Sequence, residues 1–258
     1  MKTRQTIGQE AMVRSMYRKL ARNWGRQHWW PAETPFEVIV GAILTQNTSW
    51  TNVERAIASL RAAAVLTVMG IRTVPLVRLQ QLVYSSGYYR QKAQRLKDFV
   101  SFLDERYGGS LETMFATPTD QLRAELLSLK GIGPETADSI LLYAGNHEIF
   151  VVDTYTRRVR ERHGTVDRRA SYDEVRTLVQ RAMLGERALA AMKSKPANNV
   201  PVHEPSAMST ASRSRVAQVY NEMHGLFVQV GKHYCLKQAP KCDACPLRKL
   251  LPDGTLPS

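Results

Sequence analysis

The segment from Leu126 to Arg158, LLSLKGIGPETADSILLYAGNHEIFVVDTYTRR, constrains this chain more than any other. A helical run ends at Lys130, and Gly131-Ile132-Gly133 permits a tight turn. Pro134 then opens a second helix where its missing N–H costs nothing. Free N–H groups at such a helix start, with the helix dipole behind them, suit a phosphate. Lys130, Gly131, Ile132, Gly133 and Thr136 are therefore the expected DNA-binding set, gripping backbone rather than reading sequence. A Gly-x-Gly by itself describes an ordinary helix corner equally well. About twenty residues on, the apolar run Phe150-Val151-Val152 ends in Asp153, and a helix with Arg157, Arg158 and Arg160 follows. Asp153 at that helix start can simply be an N-cap. Aimed into a cleft, the same carboxylate can stabilise a sugar cation as an N-glycosidic bond breaks and orient the attacking water.

The remaining chain reads as helix nearly throughout. Helical spacing of apolar residues marks Gln9–Asn23, Pro35–Leu44, Asn52–Ala63, Leu76–Tyr84, Tyr89–Tyr107, Thr119–Leu129 and Arg215–Val230. No clean alternation signals a strand. Gly70, Pro75, Gly87, Gly108-Gly109 and Pro118 punctuate the joints. Met192–Ser214, rich in Pro, Asn and Ser, reads as a long mobile loop. The expected fold is all-α and two-lobed, with a DNA-binding cleft between the lobes. One lobe is 35–150, with the hairpin at about 122–145. The other joins 1–34 to 151–258 and includes a cysteine loop at 235–251.

Charge narrows the partner. Lys plus Arg outnumber Asp plus Glu by 36 to 23, a formal net charge of +13, and nucleic acid is the commonest match for such a chain. No apolar stretch follows Met1 as in a secretory signal, and none approaches the length of a membrane span. A monomer in a bacterial-type cytoplasm, associated with the nucleoid, is the expectation. The only cysteines are Cys235, Cys242 and Cys245. An odd count in a reducing compartment points to a metal or cluster site rather than to disulfides.

The hairpin followed by Val151-Val152-Asp153-Thr154-Tyr155-Thr156-Arg157-Arg158 resembles the helix-hairpin-helix DNA glycosylases related to endonuclease III. Gly41-Ala42-Ile43-Leu44-Thr45-Gln46-Asn47-Thr48 is similar to an early helix and Gln-bearing loop of that family, and Ser86-Gly87-Tyr88-Tyr89-Arg90-Gln91-Lys92-Ala93 to a further segment. The likeness runs from about Trp29 to Val230. It implies a base-excision enzyme for double-stranded DNA carrying a damaged base, with Asp153 as catalytic carboxylate. It also implies that Gln46 fills the gap a flipped base leaves. Members that also cut the strand carry a lysine two residues after the second hairpin glycine, whose amine forms an imine with the sugar. Here that position is Glu135. Neither Lys92 nor Lys130 occupies it, so the resemblance implies a glycosylase without lyase activity.

In finer detail KGIGPETADSILLYA and Trp29-Trp30-Pro31 resemble the type III 3-methyladenine DNA glycosylases. That likeness implies a base pocket of Trp29, Trp30, Pro31, Trp50, Lys232 and Glu135, in which indole rings hold a cationic alkylated purine by stacking and cation–π attraction. Core packing is the competing reading of the tryptophans, and an enzyme for oxidised pyrimidines or mismatches, or a non-catalytic DNA-binding protein, remains an alternative. The spacing of Cys235, Cys242 and Cys245 resembles the iron–sulfur loop of endonuclease III, in which a fourth cysteine stands where this chain has Leu251. It implies a [4Fe–4S] cluster with a non-cysteine fourth ligand (water, a carboxylate such as Asp253, or a histidine) or a [3Fe–4S] cluster, the alternative being a relic loop without iron.

Overall fold

The computed structural model describes residues 4–186 and 203–252. It is all-helical, and the described residues include no strand. The chain separates into two compact units, 1–31 with 148–258 and 32–147. The first opens with α1 (Arg4–Trp24). The second comprises α2 (Pro35–Leu44), α3 (Trp50–Ala62), α4 (Val68–Thr73), α5 (Leu76–Leu82), α6 (Tyr89–Tyr107), α7 (Leu111–Phe115), α8 (Thr119–Ser128) and α9 (Pro134–Ser139). The chain then returns to the first unit with α10 (Thr154–Arg162), α11 (Tyr172–Met183), α12 (Ala207–Thr210) and α13 (Arg215–His233).

In the unit 32–147, α2 is apolar on every side and is buried from Phe36 to Leu44, as an all-round hydrophobic helix must be. Thr34 caps it, accepting from the Glu37 N–H at 3.1 Å, and Pro35 takes the first turn. The Glu37 carboxylate is itself buried and meets Arg61 at 2.7 Å. Gly70 lies inside α4 and not at a joint: a Cβ there would stand 2.6 Å from the Val65 carbonyl oxygen. Close backbone approach, rather than a turn, explains that glycine. Helix α8 stops at Ser128, short of Lys130, because Leu129 turns extended.

In the other unit, α1 packs on α11, and α10 and α11 pack on α13. Helix α13 is buried from Val219 to Gly231 and runs through to His233, three residues beyond its expected end. The Tyr17 hydroxyl donates to Glu222 at 2.9 Å, fixing α1 against α13. Helix α11 is held by a capping box between Ser171 and Glu174. The stretch expected to be a mobile loop falls partly outside the described residues, from 192 to 202. Its remainder, 203–214, carries the short helix α12. Its Ser206 hydroxyl donates to the Trp30 carbonyl at 3.3 Å and Met208 is buried, so apolar anchoring there outweighs the polar composition. No helix among the described residues is long and apolar enough to cross a membrane.

Candidate active site and cysteine loop

In the unit 32–147 the hairpin joins α8 to α9. The Ile132 N–H donates to the Leu129 carbonyl at 3.0 Å, closing the turn. Gly131 takes φ +85°, a conformation that costs a side-chain-bearing residue roughly 1–2 kcal/mol. A Cβ there would also lie 2.2 Å from Arg95 Nε, so the guanidinium of α6 rests on the turn. At Gly133 a Cβ would meet nothing, which leaves the backbone at the start of α9 open. Asp138 of α9 is fully buried and pairs with Arg123 of α8 at 2.6 Å. Helix α9 runs on into a single π turn, Ile140–Ala144, packed on α2.

Gln46 joins this unit's hairpin directly. Its Nε2 donates to the Gly131 carbonyl and to the Thr136 hydroxyl, both at 2.9 Å, while its Oε1 accepts from Arg95. In this structure the amide is committed to bracing the turn. Lys92 is 1% exposed and spends its amine on the Leu44 and Ser86 carbonyls, at 2.8 and 2.6 Å. Burial and the nearby Arg95 push that ammonium down to about 8. Lys130 and Glu135 are exposed, and Trp50 donates from its indole nitrogen to Glu54 at 2.9 Å.

In the other unit, Ile149–Val152 is buried and delivers Asp153 to the start of α10. One carboxylate oxygen accepts from the Thr156 N–H at 2.6 Å, an N-cap in fact. The second lies 3.6 Å from His224 Nε2. The side chain of Asp153 keeps 11% exposure, so the capping duty leaves part of the carboxylate accessible. His224 is buried between Trp29 and Phe150, with ring centroids at 5.6 and 6.3 Å. Burial pushes its pKa down, and Asp153 acts in the opposite direction.

Trp29 and Trp30 stand edge to face at 5.6 Å and are nearly buried, at 7% and 5% exposure. His203 covers Trp29 at 5.3 Å, and burial and Lys232 lower its pKa to about 4. A small cavity beside Trp29 is lined by Gln27, Asn221 and Glu222. Gln27 Oε1, Trp29 Nε1 and Asn221 Nδ2 are buried there without a hydrogen-bond partner among the described residues. Pro31 and Lys232 are half-buried in this same unit. The structure thus groups Asp153 with Trp29, Trp30 and His224, and separately groups Gln46 with the hairpin. His224 and Arg95 went unnoticed in the sequence; neither stands in a motif whose spacing assigns it a task.

The arginines after Asp153 do not form an outward basic face. Arg157 donates to the Ala170 carbonyl at 2.7 Å, and Arg160 is fully buried. Arg158 donates to the Cys235 and Gly231 carbonyls at 2.6 and 3.0 Å. Arg162 reaches the Leu236 carbonyl at 2.6 Å and Cys235 Sγ at 3.3 Å. One turn apart on α10, these two pin the cysteine loop. Cys235, Cys242 and Cys245 line a single cavity and carry no disulfide. Burial, and the other two thiols, push Cys245 up to about 11. Among the described residues no three His, Cys, Asp or Glu side chains are gathered closely enough to hold one metal ion. Lys237, Lys241, Arg248 and Lys249 of the loop are exposed.

Residues 40–183 match the family described as HhH-GPD superfamily base excision DNA repair protein. A Methanocaldococcus jannaschii protein described as a candidate DNA repair glycosylase, MJ1434, is 41% identical over 240 residues, 92% of this chain and 94% of that one. Endonuclease III of Thermotoga maritima is 26% identical over 92% of this chain and 91% of its own length. Among solved structures, the H. pylori 3-methyladenine DNA glycosylase MagIII bound to 1,N6-ethenoadenine gives a TM-score of 0.68 at 26% identity, covering 87% of this chain and 97% of that one. A trapped endonuclease III–DNA covalent intermediate gives 0.69 at 23% identity, covering 97% and 96%, and shares the fold.

Proposed function

The chain belongs to the HhH-GPD superfamily of base-excision DNA repair proteins, and from that premise we propose that it releases an alkylated purine, such as 3-methyladenine, from double-stranded DNA by hydrolysis and without cutting the strand. That it is a DNA repair glycosylase follows from the family. One observation carries the chemistry: Asp153 is fixed at a helix start by one oxygen while the other stays beside His224 with part of the carboxylate accessible. A carboxylate so held stabilises the positive sugar as the glycosidic bond breaks and orients water toward it. An alkylated purine departs as a neutral base, so little acid catalysis is needed. In this reading Trp29 and Trp30 supply the indole faces of the pocket, and a cationic base gains about 0.5–2 kcal/mol from each face it meets.

Hydrolysis without strand cleavage rests on Glu135. A carboxylate forms no imine, and the Lys92 amine is buried against two carbonyls. The hairpin, with Gly131, Ile132, Gly133 and Thr136 braced by Gln46, holds backbone phosphates in this scheme, and exposed Lys130 adds charge. A second reading has one observation in its favour. Gln27 Oε1, Trp29 Nε1 and Asn221 Nδ2 are buried polar atoms without a partner among the described residues, the kind of group that reads a neutral base by hydrogen bonds, such as an oxidised pyrimidine or a mismatched base.

We infer further that Cys235, Cys242 and Cys245 hold an iron–sulfur cluster. Three thiols line one cavity, and thiolates are the donors that iron–sulfur clusters take. When bound, the cluster cross-links the loop and takes no part in base release. Arg158 and Arg162 orient the loop backbone, and the Leu247 N–H donates to Cys245 Sγ at 3.4 Å.

A panel of duplexes, each with one lesion, tests the substrate. Release of 3-methyladenine faster than that of oxidised pyrimidines or mismatched bases is expected. Faster release of an oxidised pyrimidine or mismatched base would replace the first reading by the second.

A further inference from the structure

Leu251 lines the same cavity as the three cysteines and has no donor atom to offer iron. A different side chain on that cavity does. His163, the residue that ends α10, is 6% exposed and lines the cavity with Cys235, Cys242 and Cys245. Its Nδ1 lies 2.8 Å from the Val159 carbonyl. A carbonyl only accepts, so Nδ1 carries the proton, and in the neutral ring Nε2 carries the lone pair. Nε2 is buried and makes no hydrogen bond of good geometry to a described residue, while the Leu247 carbonyl is a second backbone acceptor set against the ring.

We propose that His163 Nε2 is the fourth protein ligand of the iron–sulfur cluster, in place of the thiolate that Leu251 cannot supply. The inference rests on the cluster reading above. A ring that gives one N–H to a backbone carbonyl while the other nitrogen faces a metal is the usual arrangement of a ligating histidine, because the carbonyl fixes both tautomer and orientation. Helix α10 sets the register: Arg158 and Arg162 hold the loop's carbonyls, and His163 follows directly on the wall they brace. His233, the other histidine near the loop, is exposed and does not line the cavity. Tyr234 does line it and serves as the control. Binding of the ring displaces only solvent from iron and moves no electrons. Exchange of a thiolate for a neutral imidazole removes one negative charge from the ligand set, which raises the reduction potential.

The test uses full-length protein reconstituted anaerobically with iron and sulfide, with histidine selectively labelled by ¹⁵N. Pulsed EPR of the reduced cluster should show a strong ¹⁵N coupling in wild type and in Tyr234→Phe, and none in His163→Ala. His163→Cys should keep a [4Fe–4S] cluster without that coupling, at a lower potential than wild type and with slower bleaching in air. A wild-type cluster without ¹⁵N-histidine coupling overturns the assignment of His163 and leaves the cluster standing. So does a His163→Cys variant with wild-type spectrum and potential, an outcome readable even where His163→Ala fails to fold. Wild type that takes up no iron overturns the cluster reading, and this inference with it.

Discussion

Around the hairpin of the unit 32–147, polar side chains close on one another: Gln46 is bonded to Gly131, Thr136 and Arg95, Asp138 to Arg123, and Lys92 to two carbonyls. In the unit that holds Asp153, several buried polar atoms stay unmatched among the described residues, including Gln27 Oε1, Trp29 Nε1, Asn221 Nδ2 and His163 Nε2. A buried polar atom without a partner costs roughly 1–3 kcal/mol. The first region therefore reads as a prebuilt rigid grip. The second carries a cost that a bound group can relieve: water beside Trp29 or, on the reading proposed above, a cluster beside His163. On the function proposed above, the contrast separates holding DNA from acting on it.

The largest expected effect lies on the acting side. Asp153→Asn keeps the shape and an acceptor for the Thr156 N–H, so stability should change little, since Asn and Asp cap about equally well. Base release should fall by about 10²–10⁴-fold in single turnover, while duplex affinity is retained. Wild-type release by this variant would remove Asp153 from the chemistry. On the holding side, Arg123→Ala strips the main ion-pair partner from fully buried Asp138 and should cost about 3 kcal/mol in chemical denaturation. A loss within error would show the hairpin to be less rigid than the comparison requires.

Gly131→Ala should cost about 1–2 kcal/mol through its positive φ, and should displace Arg95. Its DNA affinity should drop with a shallower salt dependence, measured by titration at several salt concentrations. Unchanged binding would mean the turn does not meet phosphate. A smaller and graded difference is expected with pH. His203, pushed down to about 4, and His224, also lowered, both sit in the Asp153 unit, chiefly through burial. The unfolded chain binds their protons near pH 6.5, so stability is full above that value and drains as pH falls toward about 4. His147 is the lowered histidine of the other unit. Hydrogen exchange followed from pH 7 to 4 should show the Asp153 unit loosening first; the hairpin unit loosening first would reverse the comparison.

Much of this was legible in the sequence where a local rule applies. Pro35–Leu44 and Tyr89–Tyr107 have the expected bounds, because a capped start and an apolar period, or a closing glycine, fix both ends locally. Asp153 was visible as a helix cap for the same reason. What escaped depends on contacts distant in sequence. The resemblance cast Gln46 as the residue that fills a flipped base's gap, and only the fold brings it to Gly131, 85 positions away. Arg157, Arg158 and Arg160 read only as a basic helix, and the hold of Arg158 on the cysteine loop, more than seventy positions on, appears only in the fold. Gly70 looked like a turn because the sequence does not show that Val65 presses against it.

The most direct measurement of the central claim compares base release with strand cleavage in one reaction. Wild-type protein is incubated with a duplex carrying 3-methyladenine in the presence of borohydride, and free base, nicked strand and covalent adduct are all counted. With Asp153 acting through water and Glu135 in place of an amine, base should accumulate, the abasic strand should stay whole until alkali is added, and no adduct should form. A covalent adduct in stoichiometric yield, or intact base after the duplex is fully bound, would contradict the account.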